Sequence, residues 1–431
     1  MQLPEAFLSR MQALIGDDLA AYQAAMETQP RRALRVNTLK ISPAELLVKI
    51  PSLEKTGLCA EGFLVPEDFS PGRDVYHAAG LYYMQEASAQ YPASLAAGLS
   101  KGDFPVVLDL CAAPGGKSTQ LAAQMGNRGL LIANEPVWNR CGILADNFER
   151  LGVTNGLVTC MMPQDLCPLL SGLCDLILVD APCSGEGMFR KEPEAIQAWS
   201  PAHVEACAQR QANILDSAVE ALRPGGRLIY STCTFSREEN EGVVETFLKK
   251  HPDFSLLSMD RFYPHTCPGE GQFAALLLRD GDATAAYEQL LPTKGNRIPE
   301  WEQFQKESLA LPLDRPAQLL KDGRIVLPPA QVPRLLSSMR IRIAGIPAGE
   351  LRPGRFQPGH GLSHALKAEA FFNRLEVSYP EAVRFLSGET LSLSAASSGW
   401  TAVTFERHVL GLGKAVGNTL KNHYPKGLRL R

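Results

Sequence analysis

The chain has 431 residues, of which 45% are hydrophobic and 21% are charged, and its formal net charge is −3. This composition is typical of a globular protein with two to four domains. The sequence has no run of about 18 apolar residues, and residues 1–30 lack a signal-peptide pattern, so we expect no membrane span and a cytoplasmic protein. The ten cysteines form no CxxC pair, and we therefore expect reduced thiols and no metal centre.

Predicted helices and short strands are mixed over the first 98 residues. Apolar residues at helical spacing predict a helix over residues 3–27, and further helices are predicted over 43–49 and 85–97. The segment RALRVNTLK (32–40) has the pattern of a short strand. We therefore expect an α+β appendage over residues 1–98.

Strands and helices alternate in the next segment, which we assign to one domain over residues 99–281. Strands are predicted over 106–110, 129–135, 157–160, 175–180 and 227–232, and helices over 117–125, 138–150, 203–222 and 238–250. Such alternation predicts an α/β fold with a doubly wound, Rossmann-like parallel sheet, which binds ligands at the carboxyl ends of its strands. QFAALLLR (272–279) predicts a further strand that is compatible with an antiparallel edge.

The chain changes character again after residue 281, and residues 282–350 are expected to form a connecting subdomain. From about Arg324, strand-like pieces alternate with Pro and Gly turns, namely RIVLP, RIRIAG, ETLSL, WTAVTF and HVLGLG. They predict a small β-rich domain with the form of a compact barrel, whose last part lies at 351–431. That last part has eleven Lys and Arg residues against five Glu and no Asp, which suits a phosphate-contacting surface or, equally, a solvated tail.

A loop of small residues, VVLDLCAAPGGKS (106–118), separates a predicted strand from a predicted helix. Small residues let a ligand approach the backbone closely, and a helix start offers free N–H groups. A P-loop is excluded because Cys111 stands where its first glycine is required, and the GxGxxG pattern is also absent. The turn is therefore predicted to bind an adenosine- or methionine-type ligand. Glu135, at the end of the second strand, is well placed for ribose hydroxyls.

Two cysteines follow predicted strand ends in polar turns. Cys183 lies in DLILVDAPCSGEGMFRK (175–191), shortly after Asp180, and Cys233 lies in YSTCTFSREENE (230–241). A buried cysteine alone is usually an inert apolar residue. Neighbouring strands, however, bring both thiols to one rim beside the predicted ligand loop. A thiolate is a strong nucleophile, and no His lies nearby in the sequence to form a protease-type pair, so we expect both cysteines to take part in chemistry.

These segments together resemble the Nol/Nop/Sun family of RNA cytosine methyltransferases. CAAPGGK, DAPCSGEG and YSTCTFSREENE are similar to the family's cofactor loop and its two cysteine motifs, and RVNTLK (35–40) and YYMQEASA (82–89) to its N-terminal segment. GRFQPGHGLSHAL (354–366) and LGKAVGNTLKNHYPKGLR (412–429) are similar to the C-terminal region of the bacterial 16S ribosomal RNA methyltransferase F group. The resemblance covers nearly the full chain, and it implies an RNA-binding N-terminal appendage and a C-terminal PUA-like domain that binds RNA.

The resemblance implies S-adenosylmethionine as the cofactor. Cofactor contacts are implied for Cys111, Ala112, Ala113, Pro114, Gly115, Gly116, Lys117, Glu135, Asp165 and Asp180. Asp165 departs from the family's pattern, because it lies a few residues later than the acid that contacts adenine after the third strand. The backbone of Met161 or Met162 is the alternative contact.

The implied reaction is methylation of carbon 5 of a cytosine, which must leave any base stack to reach the site. Cys233 is implied to add to carbon 6, Cys183 to assist its release, and Asp180 to hold the ring at nitrogen 3 and the exocyclic amine. The implied substrate is 16S ribosomal RNA or the small ribosomal subunit, with a transfer RNA target or a non-catalytic ribosome-assembly protein as alternatives. A DNA-type enzyme would use Cys183 as its nucleophile and leave Cys233 unexplained.

Overall fold

Helices and a small antiparallel sheet make up the N-terminal segment. The computed structural model describes residues 3–97, 104–282 and 286–430. The helices of this segment are α1 (Glu5–Ile15), α2 (Leu19–Met26), α3 (Pro43–Lys49), α4 (Val75–Ala78) and α5 (Tyr91–Ser94). Its strands are β1 (Ala33–Val36), β2 (Glu54–Lys55), β3 (Gly62–Leu64) and β4 (Tyr82–Met84), and they form a sheet in the order β2-β3-β1-β4.

Side-chain hydrogen bonds to the backbone set the helix starts in this segment. The predicted helix α3 is confirmed, and it begins with a capping box in which Ser42 Oγ accepts from Glu45 N while the Glu45 carboxylate accepts from Ser42 N. The helix predicted over 85–97 is much shorter than expected. Glu86 accepts hydrogen bonds from backbone N–H groups of the following turn, so α5 begins only after that turn.

The central segment contains the predicted alternation of strands and helices. Its strands are β5 (Val106–Asp109), β6 (Leu130–Asn134), β7 (Gly156–Thr159), β8 (Cys174–Asp180), β9 (Leu222–Thr232), β10 (Phe254–Phe262) and β11 (Gln272–Arg279). Its helices are α6 (Gly116–Met125), α7 (Trp138–Leu151), α8 (Pro163–Leu166), α9 (Pro193–Ala198), α10 (Pro201–Ala221) and α11 (Glu241–Lys250). The predicted α/β, Rossmann-like sheet is therefore confirmed.

Five strands of the central sheet are parallel and lie in the order β9-β8-β5-β6-β7. Successive side chains of a strand point to opposite faces of its sheet. In β8, Ile177 and Val179 accordingly pack in one buried apolar cluster, whereas Leu176 and Leu178 pack in another. Helices cover both faces, and the carboxyl ends of all five strands open on one rim.

The strand predicted over 272–279 is confirmed as β11 and is antiparallel to β9. It is not the edge of the sheet, because β10 pairs with it antiparallel on the other side. Strand β10 was not predicted from the sequence, because its apolar side chains at Leu256, Leu257 and Met259 are exposed and show no alternating burial. Pairing with β11, rather than burial, holds this strand in place.

The C-terminal part contains short strands, a long hairpin and three helices among the described residues. Its strands are β12 (Leu290–Pro292), β13 (Gln318–Leu319), β14 (Arg324–Leu327), β15 (Gln331–Pro333), β16 (Ile341–Ala344), β17 (Ile346–Arg352), β18 (Arg355–Pro358), β19 (Arg374–Glu376), β20 (Leu391–Phe405) and β21 (His408–Asn422). Its helices are α12 (Pro299–Ser308), α13 (His360–Ala365) and α14 (Tyr379–Leu386). Its separate sheets have the orders β12-β15, β13-β14-β17-β18 and β19-β20-β21.

One predicted C-terminal strand belongs to the central sheet. The RIRIAG piece forms β16, which pairs antiparallel with β7, with Ile341 opposite Thr159. The expectation that this piece lies in a separate β-rich domain is therefore wrong. Without β16, strand β7 would expose a row of unpaired backbone groups, and an added strand covers such an edge. The expected boundary between residues 350 and 351 falls inside β17.

Among the helices in the described part of the chain, none is both long enough and apolar enough to cross a lipid bilayer.

Candidate active site

The rim at the carboxyl ends of the parallel strands collects most of the residues singled out in the sequence. Cys111 follows β5, Asp180 ends β8 with Cys183 three residues later, and Cys233 directly follows β9. Two cavities open here, of about 310 and 860 Å³. Cys111, Asp180 and Cys233 line both cavities. The predicted meeting of the three strand ends is therefore present.

The predicted ligand loop runs from β5 to the start of α6. Gly115 has a φ of +111°, and a Cβ atom at this position would lie 3.0 Å from Leu144 Cδ1 on helix α7. Glycine is therefore required here by both conformation and space. Side chains of α7 hold the loop from outside, because Arg140 Nη2 donates to Ala113 O at 3.1 Å and Asn147 Nδ2 to Pro114 O at 3.0 Å.

Asp109, the last residue of β5, is a site residue that the sequence reasoning missed. Its carboxyl is fully buried, and Ser118 Oγ donates to its Oδ2 at 2.6 Å. Its Oδ1 is buried without a hydrogen-bond partner among the described residues, and burial raises the pKa of Asp109 to about 7. Asp109 also lines the smaller cavity. An acid at a strand end before a Gly-rich loop was the available signal.

Asp180 is fixed by three side chains. Lys117 Nζ donates to its Oδ2 at 2.8 Å, and Ser231 Oγ donates to its Oδ1 at 2.7 Å, with Gln272 Nε2 at 3.4 Å from the same oxygen. Burial lowers the pKa of Lys117, but the charge of Asp180 and its hydrogen bond outweigh that effect, so the pKa is raised. Lys117 is therefore an ammonium paired with a carboxylate at the cavity wall.

The second strand end holds Glu135 and its neighbour Asn134. Glu135 is buried, accepts from Val137 N at 2.9 Å and lies 3.4 Å from Arg140 Nη1. Asn134 ties three strand ends together, because its Nδ2 donates to Leu110 O at 3.2 Å and to Met161 O at 2.9 Å. Glu135 lines the larger cavity, as the sequence predicts for a ribose contact.

Asp165 is not brought to either cavity. It lies in the short helix α8 with an exposed side chain, and it is absent from the lining residues of both cavities. Met162 and Gln164 line the larger cavity instead. The alternative contact through Met162 is thus better placed than the carboxylate of Asp165.

The sulfur atoms of Cys183 and Cys233 lie 3.3 Å apart. Both side chains are partly buried. The hydrogen bond to Cys233 and burial together raise the pKa of the Cys183 thiol well above its ordinary value. Cys183 therefore keeps its proton at neutral pH, with its sulfur in hydrogen-bonding contact with that of Cys233.

Buried carboxylates join the two cysteine loops, and the sequence reasoning missed them. Glu239 accepts from Ser184 N at 2.9 Å and from Gln211 Nε2 at 2.8 Å. Glu186 accepts from Phe235 N and from Trp199 Nε1, each at 2.9 Å. Burial raises the pKa of both carboxyls. Each carboxylate accepts a hydrogen bond from the backbone of the other cysteine loop. The local sequence does not indicate such a pairing.

A buried arginine of the N-terminal segment reaches the ligand loop. Arg35 Nε donates to Gln85 Oε1 at 2.9 Å, and its Nη2 donates to Gly116 O at 3.0 Å and Thr119 Oγ1 at 2.8 Å. Burial lowers the pKa of Arg35 to about 10, which leaves it charged at neutral pH. No signal in the sequence pointed to this contact, since Gly116 lies 81 residues away.

Comparisons with known proteins identify the family. Three family models match: 16S rRNA methyltransferase RsmB/F over residues 97–292, the N-terminal domain of 16S rRNA methyltransferase RsmF over 3–87, and the methyltransferase RsmF PUA domain over 372–430. The chain is 34% identical to ribosomal RNA small subunit methyltransferase F of Erwinia tasmaniensis, over 99% of this chain and 96% of that protein. The chain belongs to the 16S rRNA methyltransferase F family.

Other members and solved structures agree with this family. The protein of the same name from Escherichia coli O9:H4 is 34% identical over 99% of this chain and 96% of its own length. A methyltransferase homolog protein from Pyrococcus horikoshii is 31% identical, with a TM-score of 0.58 over 64% of this chain and 95% of that one. NSun6 from Pyrococcus horikoshii with SFG, at 24% identity and a TM-score of 0.56, covers 65% of this chain and 99% of that one and shares the fold.

Membership of the 16S rRNA methyltransferase F family confirms several predictions from the sequence. The chain is an RNA methyltransferase, its cofactor is S-adenosylmethionine, and its C-terminal part contains a PUA domain. The Rossmann-like sheet is the fold expected for that chemistry.

Proposed function

We propose that this protein methylates carbon 5 of a cytosine in 16S ribosomal RNA through a covalent adduct with Cys233. The observation that carries the proposal is the pair of sulfur atoms of Cys183 and Cys233, 3.3 Å apart, at the rim where Asp180 also lies. Two thiols in contact at one end of a cofactor cavity suit a reaction in which one sulfur attacks and the other assists. Relatives named for small-subunit ribosomal RNA support the choice of target.

The residues of the two cavities fit S-adenosylmethionine. The unpartnered buried Oδ1 of Asp109 suits the ammonium of the methionine part. The loop Cys111, Ala112, Ala113, Pro114, Gly115, Gly116 and Lys117 would contact that part, and buried Glu135 the ribose hydroxyls. S-adenosylmethionine supplies the methyl group that carbon 5 receives.

Cys233 takes the role of nucleophile in this proposal. Its thiolate adds to carbon 6 of the cytosine, which makes carbon 5 nucleophilic. After methylation, the carbon 5 proton passes to water at the open rim, the double bond between carbons 5 and 6 forms again, and Cys233 leaves as a thiolate. Because Cys183 keeps its proton, its S–H can donate a hydrogen bond to that departing sulfur.

Asp180 orients the cytosine ring. Lys117 and Ser231 fix its two oxygens in one direction, so the carboxylate can accept hydrogen bonds from the exocyclic amine and from nitrogen 3 once that nitrogen is protonated as sulfur adds. The target base must leave its stack to reach this rim. We expect the N-terminal segment and the PUA domain to hold the surrounding RNA.

The test uses unmethylated 16S ribosomal RNA, transfer RNA and small subunits with labelled S-adenosylmethionine. Wild type, Cys233→Ala and Cys183→Ala are compared by sequencing for 5-methylcytosine and by denaturing gels. We expect label at one ribosomal cytosine, its loss in Cys233→Ala and a covalent protein–RNA band in Cys183→Ala. Activity that survives in Cys233→Ala would overturn the mechanism, and label on transfer RNA alone would overturn the target.

A further inference from the structure

Strand β16 brings two arginines to the side of the central sheet. Cys160 N donates to Arg340 O at 2.8 Å, which continues the β7–β16 pairing at this end. Ile341 and Ile343 pack against the buried core, whereas the side chains of Arg340 and Arg342 are exposed. Strand β16, which comes from the C-terminal part of the chain, thus adds positive charge to the edge of the central sheet.

Both guanidinium groups lie on Trp138, the first residue of helix α7. The carbon atoms of the Arg340 and Arg342 guanidinium groups are 4.5 and 4.7 Å from the centre of the indole ring. Each contact is favourable as a cation–π interaction. The two like charges, however, are held within about a Debye length, roughly 10 Å, where they repel each other. An anion bound beside them relieves that repulsion.

The charge of this cluster is only partly compensated. Neither arginine forms an ion pair within the part of the chain that the structure describes. The charge of Arg342 does act on Asp146, which lies on helix α7 as Trp138 does, by opposing the rise in pKa that burial causes. Trp138 remains 40% exposed despite its two cations, and its neighbour Val137 is 50% exposed. The cluster therefore combines accessible positive charge with an accessible aromatic ring.

The cluster is continuous with the active-site rim. Met162, which is 48% exposed, lines the 860 Å³ cavity together with Glu135 and Cys233, and it follows β7, the strand that pairs with β16. From β8 to β16 the sheet crosses four strand spacings, or about 19 Å at about 4.8 Å each. A few nucleotides of extended single strand span that distance.

We propose that Arg340, Arg342 and Trp138, here called the Arg–Trp patch, bind the phosphates and one base of RNA that flanks the target cytosine. The proposal rests on the proposed function only in taking RNA as the substrate. Guanidinium groups match phosphate oxygens, and an indole face stacks on any base. An acidic protein surface would pair with the arginines but would make no use of the exposed 40% of the indole side chain, so RNA is the better fit.

The test measures RNA binding separately from methyl transfer. Arg340→Gln/Arg342→Gln is compared with Arg297→Gln/Arg324→Gln, which removes the same charge from exposed sites outside the N-terminal segment and the PUA domain, and with Arg340→Lys/Arg342→Lys. Equilibrium affinity for unmethylated 16S ribosomal RNA is followed against salt concentration. The glutamine pair should bind about tenfold more weakly at physiological salt, with a salt slope about 0.7 smaller for each lost phosphate contact. The control and the lysine pair should keep the wild-type slope.

Kinetics and stability provide the second readout. For the glutamine pair we expect KM for RNA to rise with kcat and cofactor affinity unchanged. An unchanged affinity and slope, or a lower melting temperature as the sole effect, would show that the patch merely clamps β16 to α7. Loss of binding to assembled small subunits with naked RNA unaffected would reassign the patch to a ribosomal protein. These results stand apart from the proposed function, whose failure would appear in wild type as an absence of 5-methylcytosine.

Discussion

The ammonium nitrogen of Lys117 lies 2.8 Å from Asp180 Oδ2, so the start of helix α6 and the end of strand β8 are joined by an ion pair at the cavity wall. The Lys117 side chain is largely buried, whereas that of Asp180 is about one-third exposed. The pair therefore gives Asp180 a fixed direction without burying it completely. This arrangement makes the orientation of Asp180 depend on a residue of the cofactor loop.

Lys117→Met should lower kcat/KM for RNA by about 10²-fold, the size expected when one charged group of a preorganised site is removed. The raised pKa of Lys117 keeps the pair intact through neutral pH, and it is lost only as the pH rises through that raised value. Methyl transfer by wild type and Lys117→Met is measured between pH 7 and 9, a range in which the wild-type ion pair is intact. Lys321→Met, at an exposed turn, is the control, and an Lys117→Met enzyme with wild-type kcat/KM would contradict the role given to the pair.

The alternation of the central segment was predictable because each strand is a buried apolar run that ends in a polar turn. Val106–Asp109 and Cys174–Asp180 are examples. Strand β10 was not predictable from its pattern, since its exposed apolar residues show no regular burial. The pairing of β16 with β7 joins segments about 180 residues apart, and local pattern carries no information on such a partner.

The reactive residues of the site were predictable, whereas most of their supports were not. Cys183 and Cys233 follow strand ends, and the order of strands in a parallel sheet brings such ends together. Glu239 and Arg35 act on loops distant in sequence, and only the folded chain shows their partners. Asp165 was chosen by its residue type at an approximate spacing, and the structure leaves it exposed.

Asp109 should make cofactor binding depend on pH. Its pKa of about 7 means that the carboxyl is about half protonated at pH 7 in the free protein. An ammonium binds the carboxylate form, so affinity for S-adenosylmethionine should rise between pH 5.5 and 8, by at most about tenfold per pH unit, and level off above. Calorimetry across this range measures the change and the accompanying release of protons.

Asp109→Asn should bind S-adenosylmethionine more weakly, and its affinity should not vary over the same pH range. The matched control is Glu149→Gln, because burial also raises the pKa of Glu149 to about 7 but this residue lines neither active-site cavity. A wild-type affinity for S-adenosylmethionine that stays constant from pH 5.5 to 8 would show that Asp109 does not bind the cofactor. If the affinity of Glu149→Gln did not vary with pH, the titrating carboxyl would be Glu149 and not Asp109.

Glu239→Ala should impair both folding and turnover. It leaves the donors Ser184 N and Gln211 Nε2 buried without their acceptor, which costs on the order of 2–4 kcal/mol of unfolding free energy. The Cys183 loop then loses one of its attachments to the segment after Cys233, while Glu186 still accepts from Phe235 N. We therefore expect kcat to fall while affinity for S-adenosylmethionine stays the same. Urea unfolding and single-turnover methylation measure the two effects.

Glu238→Ala is the control for that change, since Glu238 is the neighbouring residue and its side chain is 47% exposed in an ion pair with Arg10. Surface ion pairs contribute about 0–1 kcal/mol, so this variant should remain close to wild type in both assays. Equal losses in Glu238→Ala and Glu239→Ala would mean that the whole segment, rather than the buried carboxylate, supports the cysteine loops.

Arg35→Met should weaken cofactor binding although Arg35 lies in the N-terminal segment. The variant removes the guanidinium that donates to Gly116 O and Thr119 Oγ1 at the first turn of α6, although Thr119 Oγ1 still donates to Gly116 O at 3.2 Å. This change loosens the loop that ends at Gly115. Affinity for S-adenosylmethionine should fall about tenfold or more, and unfolding free energy by about 1–3 kcal/mol. Arg32→Met is the control, because Arg32 is an exposed residue of the same segment whose side chain donates to Phe69 O at 2.8 Å. Cofactor affinity that is unchanged in a destabilised Arg35→Met protein would restrict Arg35 to a purely structural role.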